Sequence, residues 1–129
     1  MSTRSRIGIL HPNGATDTIY CHCDGYPQHQ MPILKEHYGT AEKVQALLAL
    51  GDLSLLDARI APDADEKHGF AYGERAEGVT VAYHRDGGEP LTPAQHHRSM
   101  DALKSANWDI DWFYLFDAEN GAWLPPVKG

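Results

Sequence analysis

A chain of 129 residues with 42% hydrophobic and 22% charged side chains has the size and mixture of one globular domain. At that length folding buries roughly two-thirds of the surface of the unfolded chain, so neither disulfides nor a metal are needed merely to fold. Collagen-like, coiled-coil, disordered and membrane-spanning classes are excluded. Eleven basic and 18 acidic residues give a net charge of −7. Residues 1–45 balance four of each sign, whereas residues 46–129 carry seven basic and fourteen acidic groups. A duplex-binding surface is disfavoured, because phosphate binding needs clustered Lys and Arg. An acidic face suits a basic groove on a partner protein. The plainer reading is a solvated face that keeps the chain soluble.

No apolar run reaches the ~18–20 residues of a membrane helix. The opening MSTRSRIGIL lacks the apolar core and cleavage site of a secretory leader. A cytoplasmic location without membrane contact is expected. Residues 5–11 read as a strand with Ile7 and Ile9 facing the core. Pro12-Asn13-Gly14 is a turn, and residues 16–22 return as the second strand of a hairpin. Asp24-Gly25-Tyr26-Pro27 breaks that strand. A first helix is expected over 31–38 with Pro32 in its first turn, and a second over 41–50. Thr40 caps the second, Glu42 complements its dipole, and Val44, Leu47 and Leu48 form its buried stripe.

Residues 52–56 look like a turn that tucks leucines under that helix. Residues 61–78, rich in acids and glycine, read as an exposed flexible loop. A strand is expected over 78–84, then a turn at 85–88. A third helix is expected over 93–105, capped by Thr92. Trp112–Asp117 is strongly β-prone and apolar on both faces, as in a central strand. Asn120-Gly121 turns the chain into a last strand at 122–124, and Pro125-Pro126 leaves 125–129 as a tail. The expected fold is α+β: about five strands in a mainly antiparallel sheet, as two hairpins and a middle strand. About three helices cover one face, and 1–129 form a single domain.

The densest polar cluster is Cys21, His22, Cys23 and Asp24, with His84 able to join from a neighbouring strand. These are zinc-ligand types, but Cys-X-Cys is not the usual spacing and no second cysteine pair exists. Alternation sends His22 to the face opposite both thiols. Cys21, Cys23 and His84 are therefore weak metal candidates, and no cofactor is expected. In a strand the two cysteines sit about 6.6–7 Å apart, at the edge of disulfide reach. Asp63, Asp65 and Glu66 look like solvated loop acids. His96-His97 is expected on an exposed helix without a specific role. Trp108, Trp112, Phe113, Tyr114 and Phe116 fall within nine residues; the 112–116 strand reads as core, with an open aromatic face for a partner or a stacked base as the alternative.

The ordered blocks SRIGI, IYCHCDGYP, LKEHY, KVQALLALGDLSLL, GVTVAYHRDGGE and WFYLFD span nearly the whole chain. The series resembles a family of small phage and prophage proteins of uncharacterised function. In that family the second block usually reads IYCHWDGYP, so Cys23 stands where the tryptophan would be. Residues 28–32 also depart from the family's glycine-containing version. The resemblance implies no reaction, but it implies a mobile-element setting. By that analogy the expected function is a non-enzymatic counter-defence inhibitor of the anti-CRISPR kind. Its partner would be a host defence protein complex or a signalling nucleotide. The candidate binding surface is His22, Asp24, Tyr26, Arg85 and Asp86, at loop ends that hold polar groups outward. Two alternatives stay open: a small enzyme using His22, Asp24, His84 and Asp86, and a homo-oligomeric structural or regulatory protein that associates through its aromatic strand.

Overall fold

The computed structural model describes residues 2–129. The expected hairpin is present: β1 (Ser5–Leu10) pairs antiparallel with β2 (Thr16–Cys23), in a register from Ser5 opposite Cys21 to Leu10 opposite Thr16. Gly8 must be glycine, because a Cβ there would collide with the Asp17 carbonyl oxygen. The chain then forms α1 (Pro27–His37) and α2 (Ala41–Leu48). Pro27, expected as a strand breaker, also opens α1 at its first position, so that helix begins four residues before the expected start. Thr40 caps α2 as expected, its hydroxyl accepting the Lys43 N–H at 3.3 Å. Val44, Leu47 and Leu48 are buried.

The expected five-stranded, mainly antiparallel sheet is incorrect. The sheet is mixed and eight-stranded, in the order β4-β3-β2-β1-β6-β7, with β5 added beside β2 and β8 beside β6. The described residues form four α-helices. The expected turn at 52–56 is instead β3 (Leu53–Leu55), parallel to β2. The expected strand over 78–84 is only β4 (Val81–Ala82). The chain then coils into α3 (Tyr83–Gly87), with the Asp86 carboxylate accepting the Ala82 N–H at 2.8 Å and Gly88 left-handed at φ 71°. The expected helix over 93–105 is split into β5 (Gln95–His97) and α4 (Met100–Ala106). Ser99 is the cap, accepting the Ala102 N–H at 3.1 Å. His96-His97 thus lies in a strand, and Asp17 joins two histidines, His11 at 2.6 Å and His96 at 2.9 Å.

The aromatic run forms β6 (Trp112–Asp117), which pairs parallel with β1, Ser5 opposite Trp112 through Leu10 opposite Asp117. It also pairs antiparallel with β7 (Ala122–Trp123) and with β8 (Val127–Lys128). The expected tail is therefore part of the sheet. Alternation along β6 splits its apolar side chains between two cores. Tyr114 and Phe116 join Ile7, Ile9 and Ile19 beneath α1 and α2. Phe113 and Leu115 join Leu103 of α4 on the opposite face. Helices thus cover both faces of the sheet, not one. Arg6 is buried on the α4 side, donating to Thr18 Oγ1 at 2.8 Å and Thr18 O at 2.9 Å.

Candidate functional site

Beyond β2 the chain is pinned from three directions. The Gly25 N–H donates to Thr3 O at 2.9 Å, and the buried Tyr114 hydroxyl donates to Gly25 O at 2.6 Å. A Cβ on Gly25 would stand 2.7 Å from Thr3 O, so only glycine fits. Beneath the turn, the Ser5 hydroxyl donates to Gln30 Oε1 at 2.8 Å, and Gln30 Nε2 donates to Cys21 Sγ at 3.2 Å. Asp24 is thereby held at φ 53°, a left-handed conformation that a non-glycine residue reaches at some cost. Its side chain is exposed.

Opposite this turn stands the 61–78 segment, which is loop as expected apart from a 3-10 turn at Tyr72–Glu74. Its base is closed where Arg59 N–H donates to Gly78 O and Thr80 N–H to Arg59 O, both at 2.8 Å. The Arg59 guanidinium grips the Glu66 carboxylate through two hydrogen bonds of 2.6 and 3.0 Å. That grip and the Asp63 N–H push the Glu66 carboxyl down to about 2. His68 Nδ1 accepts the Ala76 N–H at 2.9 Å. Its Nε2 faces Asp86 Oδ2 at 3.2 Å, with only 2% of the His68 side chain and 5% of the Asp86 side chain exposed.

A cavity of about 460 Å³ lies between the turn and this loop, bounded by Cys23, Asp24, Leu55, Tyr72 and Arg75. Arg75 donates through Nε to Phe70 O at 2.9 Å, and its guanidinium lies 5.6 Å from the Phe70 ring centre and 5.7 Å from that of Tyr72. Stacking of this kind holds a guanidinium flat and pre-oriented. Among the described residues its two terminal nitrogens make no hydrogen bond, and Arg75 lines the opening. Tyr72 is 89% exposed. Nearby Tyr26, 40% exposed, leans on the His29 ring at 5.9 Å between centres. The opening thus brings together the Arg75 guanidinium, the Tyr72 ring and the Asp24 carboxylate.

The other expected site residues lie elsewhere. His22 Nδ1 meets the Tyr20 hydroxyl at 2.7 Å, on the face opposite the buried Cys21, as alternation requires. His84 Nδ1 meets Glu89 O at 2.7 Å. Arg85 and Asp86, expected to point outward, point inward. Arg85 donates to Asp86 Oδ1 at 2.8 Å, to Thr80 O at 2.7 Å and to Ile60 O. Burial opposes ionisation of Asp86, yet the Arg85 guanidinium and the Ala82 N–H hold its carboxyl below the usual range. No hydrogen bond or ion pair among the described residues joins His22 to Asp24, His84 or Asp86. Burial pushes the Cys21 thiol up to about 12. Cys23 is half-buried, with Ser2 Oγ at 3.9 Å. Among the described residues no group of three or more His, Cys, Asp or Glu side chains is placed to hold a metal ion. None of their helices is long and apolar enough to cross a membrane.

Sequence reasoning missed Tyr72 and Arg75. The available signal was an aromatic three residues from an arginine in a glycine-bearing loop, a pairing that also occurs in plain solvated loops. No protein-family model, curated protein or solved structure matches the chain.

Proposed function

We propose that this protein is a small binding protein that docks a partner protein at the opening between the β2 exit and the 61–78 loop. The observation that carries this reading is the Arg75 guanidinium, over the Tyr72 ring and without a hydrogen bond at its terminal nitrogens, lining one cavity with Asp24. Tyr and Arg are enriched among the residues that dominate the energetics of protein interfaces, Tyr through large rigid contact area and Arg through its planar fork of donors. The loop that holds them is braced through Arg59–Glu66 and His68–Ala76, which lowers the ordering cost of docking. The resemblance of the sequence blocks to phage proteins supplies the setting. The partner is a host defence complex, and the protein acts as a counter-defence inhibitor by occupying it.

The test is phage plating on bacteria carrying individual defence systems, with and without this chain. Restored plating in one system, lost in a Tyr72→Ala, Arg75→Ala double variant that folds normally, supports the reading. A hot-spot loss of at least ~2 kcal/mol corresponds to about 30-fold weaker binding. Restored plating that survives the double variant places the contact elsewhere and overturns the assignment of this surface.

A further inference from the structure

A second cavity shares only Ser2 with the lining of the proposed docking opening. Trp108 follows α4 and is 85% exposed, while most of the aromatic strand β6 is buried. Beside it opens a cavity of about 510 Å³ whose wall includes Thr3, Asp109, Asp111, Trp112 and Lys128. Its floor is ordered. The Asp111 carboxylate accepts the Arg4 N–H at 2.9 Å, the Gly129 N–H donates to Asp111 O at 2.8 Å, and Trp112 is paired with Lys128 across β6 and β8.

Two properties of this patch name its occupant. A projecting indole next to a hollow on the same surface is complementary to itself under a twofold axis, where each knob enters the other copy's hole. The charges agree with that. Arg4 pairs with Asp109 at 3.3 Å, and Lys128 and Asp111 add one of each sign, so the side-chain charges of the patch cancel on a chain of net charge −7. A basic partner would select the acidic surface elsewhere. A patch whose side-chain charges cancel, with both signs present, is where two such chains approach with less repulsion than at the acidic surface, and where Arg4 and Lys128 of one copy can face Asp109 and Asp111 of the other. We propose that this patch binds a second copy of the chain, each Trp108 entering the cavity beside the other copy's Trp112 around a twofold axis.

The test is sedimentation equilibrium of the full chain from about 1 μM to about 1 mM, spanning weak to moderate affinities. Runs at low and high salt use screening to reduce repulsion between the two −7 chains. The expected result is a concentration-dependent rise from the monomer mass to twice that mass. Trp108→Ala removes a side chain that is already in water, so it folds as wild type by circular dichroism and weakens association at least tenfold. Lys128→Asp, which gives the patch a net negative charge, also weakens it, most at low salt. A monomer throughout the range at both salts overturns the proposal, as does a dimer of unchanged strength in Trp108→Ala. Assembly that continues past the dimer overturns the twofold arrangement.

Discussion

Replacing Asp86 with alanine tests whether the Arg85–Asp86 pair is an internal brace. The carboxylate accepts the Ala82 N–H at 2.8 Å and Arg85 Nε and Nη2 at 2.8 and 3.0 Å, and it faces His68 Nε2 at 3.2 Å. Removing one partner of a buried ion pair costs about 3–5 kcal/mol, because the other charge is left without compensation. Arg85 retains Thr80 O and Ile60 O, and its side chain is 26% exposed, so water reaches it. Both facts move the expected loss to the lower end, about 3 kcal/mol. With a urea slope of about 2 kcal/mol/M, the unfolding midpoint falls by about 1.5 M. Asp86→Asn, which keeps an acceptor for Ala82 but not the charge, falls by less. Urea unfolding followed by tryptophan fluorescence reads both. A midpoint within about 0.3 M of wild type in Asp86→Ala would refute the brace, since that interval is worth only about 0.6 kcal/mol at this slope.

The two thiols differ in reactivity, because burial pushes Cys21 up to about 12 while Cys23 borders the cavity. Iodoacetamide at pH 8 alkylates one thiol in the native protein and two in urea, and peptide mapping places the native label on Cys23; equal labelling of both would contradict the burial of Cys21. The Glu66 strap is acid-sensitive in a stated direction. Its folded carboxyl lies at about 2, below the ordinary range, so its contribution is fully present above about pH 4.3 and is lost as pH falls toward 2. Limited proteolysis in the 61–78 loop therefore accelerates over that window with an acid-active protease, whereas Glu66→Gln is cut quickly at every pH. Cutting of the wild type that does not change with pH would show that the pair does not hold the loop.

What the sequence makes legible follows the range of the forces involved. The first hairpin, α2 and the two-faced apolar run of β6 declare themselves through local turn chemistry, a cap and periodicity. The parallel pairing of β1 with β6 joins segments more than a hundred residues apart and leaves no local trace. Gln95–His97 has no apolar alternation; it is a strand because it pairs with β2 and because Asp17 holds His96. The β-prone pattern after Gly78 loses to the Asp86 carboxylate and a left-handed Gly88, which close a helical turn after only two paired residues. Within the site, Asp24 and Tyr26 were legible from the turn that exposes them. Arg85 and Asp86 looked outward-facing because glycine-bearing turns usually hold polar groups outward, and only the contacts to Ile60, Thr80 and His68 turn them inward.

The most direct measurement uses the one accessible thiol as a plug. Cys23 lines the cavity between Asp24 and Arg75, so coupling it to a bulky maleimide fills the opening without touching the core. Inhibition of the purified defence complex is then measured for labelled and unlabelled protein of equal thermal stability, with Cys23→Ser carried through the same labelling as the control. The account predicts that the label abolishes inhibition and that labelling leaves Cys23→Ser fully inhibitory. Full inhibition by the labelled protein would contradict it.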